Sequence, residues 1–143
     1  MQLFIPQEKT LTVPLPLILN RISAGFPSPA TDYIETRIDL NQELIKNPSF
    51  TFYAFAEGDS MEPEIRNGDL LIVDRKVEQP NGCVVLASIN NEFCVKRLHR
   101  YADGSLELRS DNPKYTPINL SCEFEGEFEI FGRVIKAVHD LQK

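Results

Sequence analysis

Two short stretches of this chain hold residue types that can break an amide bond. The first is Ala56-Glu57-Gly58-Asp59-Ser60-Met61-Glu62-Pro63, closely followed by Asn67-Gly68-Asp69. It reads as the end of an apolar strand, a glycine turn, and a serine leading into a single helical turn. A serine at such a junction has an exposed hydroxyl with backbone N–H groups beside it, which is what an acyl-transfer nucleophile requires. The second stretch is Phe93-Cys94-Val95-Lys96-Arg97-Leu98. Serine needs a base, and histidine is scarce, with only His99 and His139 in the chain. A lysine can take the role if it is kept neutral. Strand alternation puts Cys94, Lys96 and Leu98 on one face and Phe93, Val95 and Arg97 on the other. Lys96 thus shares a face with apolar groups, and desolvation there disfavours the ammonium. The demand is large: an ordinary lysine titrates near ~10.4, so about one in 2,500 is neutral at pH 7. Each tenfold gain in that fraction takes about 1.4 kcal/mol. Taken alone, these residues fit an ordinary solvated turn and an exposed strand lysine better than a catalytic pair.

The elements that must position them are mostly strands. Candidate strands are Phe50–Ala56, Leu70–Asp74, Cys83–Ile89, Glu92–Arg100, Leu106–Arg109 and Phe128–Val138. Asn67-Gly68-Asp69, Pro80-Asn81-Gly82, Asn90-Asn91, Asp103-Gly104 and Asn112-Pro113 supply the turns between them. Gly68 is expected at a turn that needs positive φ. Many short strands with frequent turns predict a mostly β fold, a small and strongly bent sheet or barrel. One short helix is expected, Leu40 to Lys46, capped by Asp39 and stopped by Asn47-Pro48. A weaker turn is read around Tyr33 to Thr36.

Residues 1–30 read as an extended arm, and 31–143 as the folded domain. Pro6, Pro14, Pro16, Pro27 and Pro29 forbid continuous helix and central strands. Leu3, Phe4, Ile5, Leu11, Val13, Leu15, Leu17, Ile18 and Leu19 are too apolar for a solvated linker. The arm must lie on its own domain or on a second copy. Ser23-Ala24-Gly25 is a patch of small residues within it. A secretory signal reading of Leu11 to Leu19 fails on Glu8 before the run and on Pro14 and Pro16 inside it.

At 143 residues and a formal charge of −6, the chain is one acidic domain without a basic block. That excludes direct sequence-specific DNA binding, which needs clustered Lys and Arg, and points to protein partners. Cys83, Cys94 and Cys122 have neither disulfide nor zinc spacing, so no metal or other cofactor is expected. No apolar run reaches the ~18 residues of a membrane span. Free thiols in apolar runs suit the cytoplasm.

In order along the chain, Gly58-Asp59-Ser60-Met61, Asn67-Gly68-Asp69-Leu70-Leu71-Ile72-Val73-Asp74 and Phe93-Cys94-Val95-Lys96-Arg97-Leu98 resemble the three blocks of the LexA/UmuD family of self-cleaving serine peptidases. Ala24-Gly25 resembles its cleavage site. Gly25-Phe26-Pro27-Ser28-Pro29-Ala30 and Arg37-Ile38-Asp39-Leu40-Asn41-Gln42 resemble the UmuD branch, as does the lack of room for a helix-turn-helix domain before Ala24.

The resemblance implies that Ser60 is the nucleophile, Lys96 the general base, and the backbone N–H groups of Ser60 and Asp59 the oxyanion hole. The substrate is then the chain's own Ala24–Gly25 bond. It further implies a homodimer, stimulation by RecA filaments on single-stranded DNA, and a truncated product serving a UmuC-type Y-family polymerase in translesion synthesis after DNA damage. Two other readings remain: a non-enzymatic regulatory subunit of a polymerase with an inert Ser/Lys pair, and a signal-peptidase-like enzyme acting on foreign chains.

Overall fold

A computed structural model describes residues 12–19, 21–26 and 35–142. The apolar Leu3, Phe4, Ile5 and Leu11, with Pro6, Pro27 and Pro29, lie outside the described residues, as do Tyr33 and Ile34 of the expected turn. By its contacts the chain divides into two compact units, 1–46 and 47–143.

In the first unit, strand β1 (Leu15–Ile18) pairs antiparallel with β2 (Glu35–Ile38), Leu15 opposite Ile38 and Ile18 opposite Glu35. Both strands of a two-stranded sheet are edges, a setting in which Pro16 can sit in a strand. Thr36, expected in a turn, belongs to β2. Helix α1 spans Leu40–Leu44, and the Asp39 carboxylate accepts a hydrogen bond from the Asn41 N–H, as a capping residue should. The helix stops two residues short of the expected Lys46, at the extended Ile45.

The second unit opens with a single turn of 3-10 helix, Pro48–Phe50. Seven strands follow: β3 (Thr51–Phe55), β4 (Leu70–Asp74), β5 (Val84–Ile89), β6 (Glu92–Arg100), β7 (Leu106–Arg109), β8 (Ile118–Leu120) and β9 (Phe128–Val138). They form one antiparallel sheet in the order β3-β4-β9-β5-β6-β7-β8. The sheet is mostly β as expected and is not closed: β3 and β8 remain its edges. Register shifts at Ile72/Val73 and Leu86/Ala87 bend β4 and β5 against β9.

Alternation along β5 divides the core. Val85 and Ala87 join Cys83, Leu98, Leu108 and Leu120 in one buried cluster. Leu86 joins Met61, Ile65, Leu71 and Val73 in the other, with Val84 packed against it. The second cluster matters most for the site, because Met61 and Ile65 flank the turn that carries Ser60. Burying two such side chains contributes roughly 1.5–3 kcal/mol each and pins that turn to the sheet. No helix among the described residues is long and apolar enough to cross a membrane.

Candidate active site

The Ser60 turn is built from its flanks inward. Beyond β3, Ala56 donates to Asp69 O at 2.9 Å and accepts from the Gly68 N–H at 2.7 Å. Asn67 Oδ1 accepts from the Gly58 N–H at 2.8 Å. Gly58 and Gly68 have φ of +87° and +88°, a backbone region that L side chains avoid, so both glycines are required by the turn. Asp69, which is 2% exposed, caps the Arg66 N–H and meets His139 Nδ1 at 2.7 Å. Arg66 and Asp69 thereby close the loop whose other end presents Asp59 and Ser60.

A second segment grips the turn from the far side. Asn112 N–H donates to Ser60 O at 3.0 Å, and Asn112 Nδ2 donates to Asp59 O at 3.1 Å. The Tyr115 hydroxyl donates to the Asp59 carboxylate at 2.5 Å. These contacts hold the turn by its carbonyl oxygens and by one side chain.

Lys96 lies on β6 opposite Val85 of β5. Cross-strand partners share a face, so Lys96 shares its side of the sheet with the buried Leu98 and with Cys94. Arg97 is on the other face and makes a two-point ion pair with Asp111, 2.8 and 2.9 Å. Lys96 Nζ is half-buried. It donates to Ser110 Oγ at 2.8 Å and stands 5.5 Å from the centre of the Tyr115 ring. Burial holds the Lys96 amine below the usual lysine range, against a smaller opposing influence of the Cys94 thiol. Burial likewise pushes the Cys94 thiol up.

Ser60 and Lys96 line the same cleft of about 700 Å³. Its walls include β3 from Phe52 to Phe55, Ala56 to Gly58 with Ser60 and Met61 of the turn, and β6 from Phe93 to Lys96. The mouth is apolar: Phe55 is 77% and Phe93 64% exposed. A cleft of this kind suits an extended peptide entering along its apolar sides, with a hydroxyl and a desolvated amine on its walls.

Ala24 and Gly25 belong to the first unit. There the Ser23 hydroxyl oxygen accepts from the N–H groups of Gly25 (3.2 Å) and Phe26 (3.0 Å), giving a small bend. A Cβ added at Gly25 would meet no atom within 4 Å, so packing around the bend does not demand glycine. Ile22 and Phe26 on either side are 73% and 82% exposed.

Residue chemistry pointed to Ser60 and Lys96, and the family resemblance to Asp59. Neither pointed to Ser110, Asn112 or Tyr115, which touch all three. The one available signal was Asn112-Pro113, read as a turn. Among the described residues, no group of three or more His, Cys, Asp or Glu is arranged to hold a metal ion.

The Peptidase S24-like family model matches residues 16–135, and the chain belongs to that family. Within it, the similarity runs to the UmuD-like branch. Protein ImpA of Salmonella typhimurium is 42% identical over 125 residues, 87% of this chain and 83% of the relative. Protein SamA of Salmonella typhimurium strain LT2 is 38% identical over 138 residues, covering 96% and 94%. Protein MucA of Escherichia coli is 41% identical over 116 residues, covering 78% and 80%.

Proposed function

We propose that this chain is a self-cleaving serine peptidase of DNA-damage mutagenesis, with Ser60 as nucleophile and Lys96 as general base. The observation that carries the reading is the cleft shared by Ser60 and a half-buried, desolvated Lys96. In the reaction, Lys96 takes the Ser60 proton as Oγ bonds to the Ala24 carbonyl carbon. The oxyanion is held by the backbone N–H groups of Ser60 and Asp59. The Ala24–Gly25 bond then breaks, and the proton on Lys96 passes to the Gly25 nitrogen. A water molecule, activated by the same amine, releases Ala24 from Ser60. Small residues at Ala24 and Gly25 let the chain enter the cleft, and the tethered segment needs little intrinsic affinity.

The arm (1–30) is the substrate and 31–143 the catalytic domain. The protein acts as a cytoplasmic homodimer. RecA filaments on single-stranded DNA stimulate cleavage, and the product, residues 25–143, serves a UmuC-type Y-family polymerase in translesion synthesis. Family membership and the ImpA, SamA and MucA similarities support the branch. The exposed Leu15, Ile18 and Leu19 support a dimer that covers them.

The test is intact mass spectrometry of the full chain at pH 7 and pH 10, with and without RecA filaments on single-stranded DNA and a nucleotide. Fragments ending at Ala24 and starting at Gly25 are expected, faster at pH 10, and absent from Ser60→Ala and Lys96→Ala. The sign follows from the base: Lys96 works only when neutral, and the neutral fraction grows as pH rises through its lowered value. Intact protein under every condition would sink the self-cleavage reading and leave a non-enzymatic polymerase subunit. Equal rates at pH 7 and pH 10 would remove Lys96 as the titrating base.

A further inference from the structure

Three consecutive residues after β7 touch both halves of the cleft. Ser110 Oγ accepts from Lys96 Nζ at 2.8 Å. Asp111 holds Arg97, the next residue on β6, through two bonds of 2.8 and 2.9 Å. Asn112 holds the carbonyl oxygens of Ser60 (3.0 Å) and Asp59 (3.1 Å). The β6–β7 register explains the arrangement. Leu98 faces Leu108 and Arg97 faces Arg109, so Ser110 leaves the ladder beside Lys96. One short segment therefore sets the distance between the serine turn and the lysine strand.

We infer that Ser110 is a positioning residue for self-cleavage: its hydroxyl oxygen takes one N–H of the Lys96 amine and so aims the amine's lone pair at the Ser60 hydroxyl. The inference rests on the Ser60–Lys96 reading above. The physical need is specific to lysine. Its nitrogen ends a flexible four-carbon stem, and a neutral amine has two N–H groups and a single lone pair. A base must present that pair along the line to the proton it takes. The apolar neighbours that keep Lys96 neutral cannot orient it. A hydroxyl can, because it accepts a hydrogen bond while favouring the ammonium far less than a negative charge would. A carboxylate at this place would raise the proton affinity of the base. The adjacent carboxylate, Asp111, is instead occupied by Arg97 on the opposite face. The titratable groups around the amine are Cys94 on its own strand, Tyr115 with Asp59 bonded to it, and Tyr53 and Glu57 on the cleft walls.

The experiment is the pH profile of self-cleavage of the full chain, from about pH 7 to 10.5, with and without the RecA filament. Ser110→Ala and Ser110→Thr are compared with wild type, beside Ser60→Ala and Lys96→Ala, and thermal melts check folding. The profile is repeated in a Cys94→Ala background, so that the midpoint belongs to the amine. Ser110→Ala should lower the alkaline plateau about tenfold to a hundredfold, the scale of a misaligned reacting group. Its midpoint should also move to lower pH, because an acceptor that favoured the ammonium is gone. Ser110→Thr keeps the hydroxyl and should restore the plateau to within about threefold, with the wild-type midpoint. A wild-type plateau and midpoint in Ser110→Ala would overturn the inference while the dyad stands. So would a lowered plateau that threonine does not restore and a midpoint that does not move, which is a packing role alone. Cleavage by Ser60→Ala or Lys96→Ala, or none by wild type in any condition, would remove the dyad and this inference with it.

Discussion

Two aspartates of the second unit organise turns, and they do it in opposite ways. Asp74 ends β4 fully buried, and its carboxylate accepts from Asn47 Nδ2 (2.8 Å) and from the N–H groups of Lys76 (2.8 Å) and Val77 (3.2 Å). It gathers the turn's own donors inward. Asp59, after β3, takes one bond within its turn, from the Glu62 N–H to its carbonyl oxygen (3.1 Å), and is otherwise held from outside. Asn112 takes the carbonyl oxygens of Asp59 and Ser60, and Tyr115 takes the Asp59 side chain. Carbonyl oxygens are the atoms that attack on a peptide does not use. A turn that only has to be stable uses its donors on itself. A turn that has to present a hydroxyl is gripped by its acceptors, from a segment that can also set the distance to a base.

The comparison is tested hardest at Asp74. Asp74→Ala leaves three part-buried donors without their acceptor, and should cost about 2–4 kcal/mol of unfolding free energy, read as a lower urea midpoint. Cleavage per folded molecule should not change. Acid sharpens the test. Burial alone would raise the Asp74 carboxyl, but the hydrogen bonds from Asn47, Lys76 and Val77 outweigh it and hold the group below the usual carboxylate range. The folded state thus keeps the carboxylate ionised to lower pH than the unfolded chain, which takes up its proton near ~3.9. The stabilisation is complete above that range and is lost as pH falls through the lowered folded value. Asp74→Ala should lack this part of the acid unfolding limb. An unchanged urea midpoint would mean that the inward donors are not what holds the β4 turn.

These two turns were unequally legible in the sequence. Gly58-Asp59-Ser60 announced a strand–turn junction by residue type, and Lys96 was marked by its apolar neighbours. The strands β4, β6, β7 and β9 could be read to their ends, because their apolar runs are bounded by glycine, asparagine or aspartate turns. β8 could not, since Ile118-Asn119-Leu120 is too short for alternation to stand out between Pro117 and Ser121. β1 and β2 were hidden by prolines and by a partner some twenty residues away. Ser110 and Tyr115 carry no local mark at all, and Asn47 and Asn112 are marked only as turn residues before Pro48 and Pro113. Their roles come from the order in which distant strands pair, and hydrogen-bond partners chosen by that pairing leave no spacing to read.

Asn112 comes next in size. Asn112→Ala removes the donor to Asp59 O but keeps the backbone bond to Ser60 O, so the turn stays folded and loses part of its aim. Self-cleavage should fall about tenfold to a hundredfold, while the urea midpoint moves by only about 1 kcal/mol. That is the reverse of the Asp74 pattern. If both variants lost stability and rate in proportion, the two turns would not differ in kind.

The smallest effect is expected at Tyr115, and it isolates one bond. Tyr115→Phe keeps the ring beside Lys96 and deletes only the hydroxyl that donates to Asp59. Self-cleavage should fall about threefold, the scale of one exposed neutral donor on a carboxylate. The Asp59 carboxylate, first by its hydrogen bond and then by its charge, pushes the Tyr115 phenol above the usual tyrosine range. An ordinary tyrosine would be half ionised near ~10 and would then repel Asp59. Here the phenol keeps its proton to higher pH, so it still donates in the alkaline range where the Lys96 amine becomes neutral. The ratio of wild-type to Tyr115→Phe rates should therefore begin to fall only at higher pH than an ordinary phenol, half ionised near ~10, would give. A ratio that already drops near pH ~9 would show that the phenol ionises early. Of the two outside grips on Asp59, only that of Asn112 would then remain in the range where the amine works.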